Sequence, residues 1–443
     1  MTMKWICSTE HNKWQHKTIN TSPPPIEADC HLLLGAGRDQ EMLGFGGCFN
    51  ELGHIALLKL NPTDQAELQK LLFDPNYDGL RFNFCRMPIG ASDYAASWYS
   101  HNEVADDFSM DYFSVDRDEE HLLPYIQWAK GMNPDLELFA SPWSPPTWMK
   151  FPQAYNYGRL KMEDAYLTAY ADYFVRFIEE YRLRNINIAQ IHVQNEPMSS
   201  QKFPSCVVTG DEFARFIGDY LGPAFERNHI NSEIWLGTLN GPEIDERKFS
   251  SSYHNYANTV LHDANAYKYI RGVSYQWCGK YAMKPTRDSW PELNLIQSEN
   301  ECGDGENSWE YARYVFDLFQ HYLSLGAYAY VYWNMILEKE GESTWGWKQN
   351  SLVVVDQETQ SYELSHEFYV MKHFSRYIQK GAHRIEHSGS FSASSVAFEN
   401  PDGSIVAVVF NPLARDMTLE LTIKGTTTCF ELPGDSINTL VFE

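Results

Sequence analysis

Hydrophobic residues follow two alternating spacings across most of the chain. Short runs rich in aliphatic and aromatic residues are typical of buried strands, and the stretches between them have the three-to-four-residue spacing of amphipathic helices. A helix pattern follows nearly every strand pattern, so the middle of the chain consists of repeated strand–helix units. Eight strands are predicted, at residues 44–49, 79–88, 136–143, 186–194, 233–239, 272–278, 293–299 and 327–334.

Two helix patterns are especially regular. From Asp164 to Tyr181, apolar side chains recur along one helical face. A second helix is predicted after Ser308, whose hydroxyl can cap the first turn, and Gly326 is a typical residue to end it. Eight strand–helix units in about 300 residues are typical of a (β/α)8 barrel.

The alternative to a barrel is a doubly wound open sheet. Such a sheet would be expected to carry a Gly-rich phosphate-binding turn after its first strand, and the segment GFGGCFN does not continue as G-x-x-G. The sequence therefore favours an α/β fold with a (β/α)8 TIM barrel at residues 37–375.

The end of the chain has a different pattern. Residues 417–424 alternate apolar and polar side chains, which predicts a half-buried strand. Residues 395–399 and 404–411 flank Asn-Pro-Asp-Gly, a hairpin signal. Residues 376–443 are therefore predicted to form an antiparallel sheet. The N-terminal segment, residues 1–36, has no helical period either, and we expect both termini to form one appended β-sandwich.

Composition and charge limit the classes of molecule that the protein is expected to bind. The 443 residues are 43% hydrophobic, enough for a large core, and 15% aromatic. The formal net charge of −24 disfavours binding to nucleic acid or to anionic membranes. Aromatic and carboxylate side chains on an acidic protein suit an uncharged carbohydrate ligand. The sequence predicts no stable membrane association and does not define the oligomeric state.

The cysteines indicate whether a metal site is expected, and the N-terminus indicates the expected cellular location. Eight scattered cysteines without a C-x-x-C pair argue against a structural zinc site and a dense disulfide framework. We expect no metal and no cofactor. No apolar run approaches the roughly 18 residues of a spanning helix, and the first residues lack the apolar core of a signal peptide. The chain is predicted to be cytoplasmic, and a processed secreted form stays open.

Two acidic residues stand out at the carboxyl ends of the predicted strands, where barrel enzymes carry their active sites. If residues 190–196 and 293–299 each continue as alternating strands, Glu196 and Glu299 face each other across the barrel mouth. A carboxyl pair of this kind can cleave a glycosidic bond, with one acid protonating the leaving oxygen and the other attacking the anomeric carbon. For a retaining mechanism, the carboxyl groups are expected to lie about 5 Å apart.

Other polar and aromatic residues near these strand ends have a structural interpretation, and some also have a functional one. Arg86 is equally consistent with a structural ion pair and with direct contact to a substrate, and His192 is predicted to be a satisfied buried histidine. Glu301 is predicted to lie in a loop beyond the end of the seventh strand. The indoles at strand ends are equally consistent with core packing and with platforms for sugar rings; these are Trp143, Trp148 and Trp333.

A set of ordered motifs carries a family resemblance across nearly the whole chain. The segments GFGGCFNE, RMPIGASDY, ASPWSPPTWMK, HVQNEP, QSENECG and YWNMIL resemble those of the glucosylceramidase-type enzymes of glycoside hydrolase family 30. The resemblance implies a retaining β-glycosidase with a barrel and a side β-sandwich. By position, it implies that Glu196 is the acid/base and Glu299 the nucleophile. It also implies that Asp93, Trp143, Asn195 and Trp333 line the site of the non-reducing sugar.

Three positions depart from the glucosylceramidase pattern. The family motif on the sixth strand carries His and then Tyr, where this chain has Gln276 and Cys278. We expect Gln276 to contact the substrate. The family often has an aromatic hydroxyl after N-E-P, where the nearest residue here is Phe203.

These departures leave the substrate open. The main prediction is an exo-acting β-glucosidase of the glucosylceramidase type, working by double displacement through a covalent glycosyl-enzyme. The enzymatic alternatives are a β-xylosidase, a β-1,6-glucanase or a β-fucosidase with the same catalytic pair. A non-catalytic carbohydrate-binding protein is a remote alternative, because such a protein would be expected to lack one of the two acids.

Overall fold

The computed structural model describes residues 2–19, 27–241 and 255–443, and its centre is a closed parallel barrel. Around the barrel each strand pairs with its neighbours in the chain, and the eighth pairs with the first, as where Ala329 faces Gly44. The predicted barrel is confirmed, and the open doubly wound sheet is excluded. The barrel strands are Gly44–Cys48, Phe84–Ile89, Glu137–Pro142, Gln190–His192, Glu233–Leu239, Ile270–Gln276, Asn294–Glu299 and Ala327–Asn334.

Two strands are several residues shorter in the structure than the sequence predicts. The second strand begins at Phe84, because Leu80 and Phe82 donate their backbone N–H groups to carbonyls of the preceding helix. The fourth strand is only Gln190–His192. Beyond it, the backbone bonds irregularly to the last residues of the neighbouring strands, to Pro142 of the third and to Gly237 and Thr238 of the fifth.

Helices lie between the barrel strands and cover the outside of the barrel. The two regular helix patterns correspond to Asp164–Leu183 and Trp309–Ser324. Ser308 caps the second of these by accepting a bond from the backbone of Tyr311, and Gly326 follows its end with φ of +98°. The other α-helices described are Glu51–Leu57, Pro62–Phe73, Leu122–Met132, Gly210–Arg215, Gly222–Arg227, Asn255–Leu261, Ala264–Tyr267, Met283–Ser289 and His366–Ser375. Among the described helices, none has both the length and the apolarity needed to cross a bilayer.

Large side chains from the strands fill the barrel interior. They form a cluster of their own, separate from the larger core beneath the helices: Phe84, Phe139, Trp235, Ile296, Ala329 and Val331. His192 stacks on Trp235 with ring centroids 5.3 Å apart, and its ring nitrogens contact Ser274 and Gln190. Burial lowers the pKa of His192 well below its usual value, so it is a neutral core residue, as predicted.

Both ends of the chain contribute to one sheet that forms the predicted β-sandwich. The N-terminal strand Met3–Ser8 pairs with the C-terminal strand Ser436–Phe442. The strand Cys30–Glu41, which continues past the predicted boundary at residue 36, pairs with Met417–Ile423. Alternate side chains of Met417–Ile423 are buried, as its sequence pattern predicts. The other strands of this sheet are Gln15–His16, His383–Ser388, Ser395–Glu399, Ile405–Asn411 and Thr426–Leu432.

Candidate active site

A pocket of about 620 Å³ opens at the carboxyl ends of the barrel strands. This is where (β/α)8 enzymes place their catalytic groups, because the loops after the strands vary without disturbing the barrel. The lining combines carboxyl and amide groups with indoles: Asp93, Trp143, Asn195, Glu196, Asn240, Trp277, Glu299, Trp345, Trp347 and Gln349 are among its residues.

Glu299 points into the pocket because of a register shift, and not because of the regular strand alternation that the sequence predicts. Ile296, not Leu295, packs in the barrel interior, so the predicted inward face of the seventh strand is wrong. The pairing with the sixth strand shifts register between Tyr275 and Gln276, so that Gln276 faces Glu299. A bulge of this kind re-aims the side chains that follow it, and it turns Glu299 into the pocket.

Glu196 also lies outside regular strand geometry. The fourth strand ends at His192, and Glu196 has φ of 49°, in the left-handed region that non-glycine residues seldom adopt. Its backbone N–H donates to the Thr238 carbonyl at 3.0 Å, which fixes this turn. Such backbone strain, typically about 1–3 kcal/mol, occurs most often at functional sites. The predicted continuous strand to residue 196 is therefore wrong, although the predicted residue is in the pocket.

Gln276 connects the two glutamates. Its Nε2 lies 3.1 Å from Glu196 Oε1 and 3.2 Å from Glu299 Oε2. Because one nitrogen is bonded to both oxygens, those oxygens are no more than about 6 Å apart, close to the spacing of retaining glycosidases and below that of inverting ones. Gln276 Oε1 accepts bonds from Ser298 and Arg86, which fixes the amide with its donors toward the carboxyl groups. The structure thus places Gln276 between the carboxyl groups rather than on the pocket lining.

Arg86 is fully buried beneath the pair. Its Nη1 donates to Glu299 Oε2 at 2.7 Å, and its Nη2 donates to Asn195 Oδ1 at 2.6 Å. Its guanidinium carbon lies 4.5 Å from the ring centroid of Trp143. Of the two interpretations of Arg86, the structure shows the ion pair, and the partner is Glu299 itself.

The surroundings separate the two glutamates electrostatically. Burial, and then the charge of Glu299, raise the pKa of Glu196 to about 8. Burial also raises the pKa of Glu299, but the charge and hydrogen bond of Arg86 and the bonds from Trp277 and Gln276 oppose this. Near neutral pH, the proton of the pair therefore belongs on Glu196 and the negative charge on Glu299.

Three other predicted residues lie on the pocket lining. Asn195 Oδ1 is occupied by Arg86, Thr238 and Gln276, which leaves its amide nitrogen for a ligand. Trp143 forms part of the wall. Asp93 is buried there, and burial and the two glutamates raise the pKa of its carboxyl group well above the usual value.

Trp333 occupies a different place from the one predicted. Its ring lies 5.3 Å from that of Trp143, it is 1% exposed, and it does not line the described pocket. Trp333 therefore packs against Trp143 rather than lining the described pocket. Trp148 is likewise buried, with its indole N–H donated to the Asn102 carbonyl.

Two of the residues that depart from the family motifs, Cys278 and Phe203, lie at the pocket. Cys278 is exposed at the pocket, and Phe203 lines it. The contact with the nucleophile candidate comes instead from Trp277, whose Nε1 lies 3.3 Å from Glu299 Oε1, with the Cys302 thiol 3.8 Å from that oxygen. Glu301 is bonded to Lys280 and Tyr314, outside the pocket lining. In the described ranges, no group of three or more His, Cys, Asp or Glu side chains is arranged to hold a metal ion.

Sequence reasoning missed three aromatic residues of the pocket. Trp277 stands between Gln276 and Cys278 at the end of the sixth strand, and it has no predicted role. Trp345 and Trp347 lie in the loop after the eighth strand. Two tryptophans flanking Gly346 in the segment TWGW were the available signal.

Removing the charge of Arg86 should change the acidic side of the pH profile. We expect Arg86→Met to lower kcat/KM about 100-fold and to move the acidic limb to higher pH, because the pKa of Glu299 rises further without its cation. Loss of one partner of a buried ion pair also costs about 3–5 kcal/mol of folding free energy. Arg86→Lys, which keeps the charge, should keep the acidic limb near its original place. An unchanged limb in Arg86→Met would contradict this account of the pair.

Comparison with known proteins agrees with this architecture. Residues 42–378 match the model of the glycosyl hydrolase family 30 TIM-barrel domain, and residues 381–440 match that of the family 30 β-sandwich domain. The crystal structure of SrfJ from Salmonella typhimurium has the same fold, with a TM-score of 0.87, 24% identity and 100% of both chains covered.

Curated relatives carry two kinds of name. Lysosomal acid glucosylceramidase of Mus musculus is 26% identical over 412 residues, which cover 86% of this chain and 77% of the relative. Endo-1,6-beta-D-glucanase neg1 of Aspergillus fumigatus is 27% identical over 441 residues, which cover 92% of this chain and 86% of the relative. Together with the family models, which account for both domains, these matches show that the chain belongs to glycoside hydrolase family 30.

Proposed function

We propose that the protein is a retaining, exo-acting β-glycosidase that hydrolyses β-glucosides, with Glu196 as acid/base and Glu299 as nucleophile. The observation that carries this proposal is the bonding of both carboxyl groups to the single amide nitrogen of Gln276. That arrangement holds the two groups at a spacing that leaves no room for a water between nucleophile and sugar, as inversion would require.

In the first step, an oxygen of Glu299 attacks the anomeric carbon while the bond from that carbon to the leaving oxygen breaks. Glu196 gives its proton to the leaving oxygen, and the sugar becomes an ester of Glu299. In the second step, Glu196 takes a proton from water, whose oxygen attacks the anomeric carbon and releases Glu299. Two inversions return the β configuration.

The pKa of Glu196 changes with the charge of its neighbour. While Glu299 is ionised, its charge helps to keep Glu196 protonated and ready to act as an acid. Ester formation removes that charge, and the pKa of Glu196 falls, which makes it a base for the second step. Gln276 has two hydrogens near both groups and can donate to whichever glutamate is ionised.

Two buried residues of the pocket lining support exo action on a terminal sugar. Asp93 and Trp143 are both buried, and the Arg86 guanidinium packs on the Trp143 ring. Asp93 and the free amide nitrogen of Asn195 can bond to the hydroxyl groups of one terminal ring. The second candidate function is endo-β-1,6-glucan hydrolysis, which the relative from Aspergillus fumigatus favours.

A substrate panel separates these candidates. We expect 4-nitrophenyl β-glucoside to be cleaved with at least about tenfold higher kcat/KM than the xyloside, fucoside and galactoside. A site built to bond each hydroxyl group rejects a ring that lacks one, as in the xyloside and fucoside, or that carries one in the opposite configuration, as in the galactoside. NMR of the first product should show the β-anomer. An α-anomer would contradict the retaining mechanism, and release of long oligosaccharides from β-1,6-glucan would favour endo action.

A further inference from the structure

A row of aromatic side chains extends from Glu299 along the pocket lining. The Trp277 ring, bonded to Glu299, has its centroid 6.1 Å from that of Trp347. Trp347 lies 5.3 Å from Trp345, which lies 5.0 Å from Phe203. We call Trp277, Trp347, Trp345 and Phe203 the aromatic wall. All four line the pocket, and the tryptophans are half-buried, so they present ring surface to it.

The aromatic wall is held in place by bonds to the protein. Trp345 donates its indole N–H to the backbone carbonyl of Asp93 at 3.2 Å, and Trp277 donates to Glu299. The Tyr94 hydroxyl lies 2.7 Å from the Gly341 carbonyl and 3.1 Å from the Trp347 carbonyl, so it ties this loop to the segment that carries Asp93. These bonds fix the positions of Trp345 and Trp277 in the pocket lining.

The rest of this half of the pocket is polar. Ser199, Gln201, Lys202 and Asn240 lie on the same lining, and Lys202 reaches over the Trp345 ring at 4.8 Å. Met198 is the one long, flexible apolar side chain on the described lining. Flat aromatic faces beside hydroxyl, amide and ammonium groups suit a pyranose ring, which has apolar C–H faces and a polar rim. A lipid chain would instead call for a continuous lining of flexible apolar side chains.

We propose that the aromatic wall is the subsite for a second pyranose ring, the sugar that leaves in the first step. The substrate class is then a β-linked oligosaccharide rather than a glycolipid. This inference rests on the proposed function. The pocket volume of about 620 Å³ agrees with it, because pockets of roughly 300–1,000 Å³ enclose ligands well above one hexose in size.

The test compares two substitutions of Trp345, one that keeps an aromatic ring and one that removes it. Trp345→Phe keeps an aromatic face, Trp345→Leu removes it, and both lose the bond to Asp93. Trp290→Leu is the matched control, since Trp290 is half-buried but bonds to Asn258 away from the pocket. Three substrates are assayed: β-glucosyl fluoride, which has no second ring; the β-1,6-linked disaccharide of glucose; and octyl β-glucoside, which has an alkyl chain.

We expect Trp345→Leu to lower kcat/KM for the disaccharide about tenfold more than for the fluoride, and Trp345→Phe to keep most of the disaccharide activity. The control should change neither. Equal losses on the disaccharide and the fluoride would overturn the inference, as would a larger loss on octyl glucoside than on the disaccharide. If the unaltered enzyme cleaves the fluoride, the proposed function stands whatever the variants show; if it cleaves none of the three, both proposals fall.

Discussion

Glu299→Ala is expected to lower kcat for aryl β-glucosides by at least about 10⁴-fold, because no other group can form the glycosyl ester. Azide should partly restore turnover of a substrate with a strongly activated leaving group. Azide fits the space left by the carboxylate and attacks from the same face, so the product should be the α-glycosyl azide. Kinetics with and without azide, and NMR of the product, measure both effects.

Glu301→Gln is the matched control for this loss. Glu301 lies two residues along the chain, is bonded to Lys280 and Tyr314, and does not line the pocket. We expect its activity to stay within about threefold of the unaltered enzyme, since the Glu301 carboxyl group is bonded away from the pocket. A large loss in Glu301→Gln with activity retained in Glu299→Ala would reverse the assignment.

Glu196→Gln should separate substrates by their leaving groups. For disaccharides and alkyl glucosides, which need a proton on the leaving oxygen, we expect kcat/KM to fall about 10³-fold, within the usual range for a general acid. For 2,4-dinitrophenyl β-glucoside, which needs no proton, kcat/KM should change far less. Equal losses on both kinds of substrate would mean that Glu196 is not the acid.

The same variant should change the pH profile in a defined direction. Glu196 must hold its proton for the first step, so kcat/KM for disaccharides should fall as pH rises through its pKa of about 8. Glu299 must be ionised, so its pKa defines the acidic limb. In Glu196→Gln the alkaline limb should disappear and the acidic limb should remain. An alkaline limb that persists in the variant would belong to another group.

The barrel and the sandwich could be predicted because their patterns are long and repeated. Eight strand–helix units imply the barrel, and the alternation in Met417–Ile423 survives in the structure as alternate burial. Strand bounds were less accurate. In residues 79–83, apolar Leu80 and Phe82 alternate with polar residues as in a strand. Their backbone N–H groups, however, bond to the preceding helix, a tertiary preference that hydrophobic spacing does not record.

The catalytic candidates were found on partly wrong geometry. Alternation placed Glu196 and Glu299 on continuous strands, whereas a left-handed turn carries the first and a register shift the second. Neither a bulge nor a positive φ at a glutamate leaves a pattern in a single sequence. Both glutamates still lie in the pocket, because barrel strands deliver their carboxyl ends to one rim, whatever the local turn.

The aromatic wall shows what strand-end reasoning omits. Trp345 and Trp347 lie in a loop after the eighth strand, and their positions depend on bonds to Asp93 and from Tyr94, far away in sequence. Trp333, by contrast, is at a strand end but packs against Trp143 and does not line the described pocket. Loop position and packing depth both arise from long-range contacts, so the residue type alone could not separate platform from support.

The central claim is that Glu299 forms a covalent bond to the sugar. The most direct measurement is to incubate the enzyme with 2,4-dinitrophenyl 2-deoxy-2-fluoro-β-glucoside, digest it, and locate the label by tandem mass spectrometry. The fluorine slows both steps, and the good leaving group lets the ester accumulate. We predict one fluoroglycosyl group per chain, on Glu299. A label on Glu301, on Glu196 or on no carboxyl group of the pocket would contradict the mechanism.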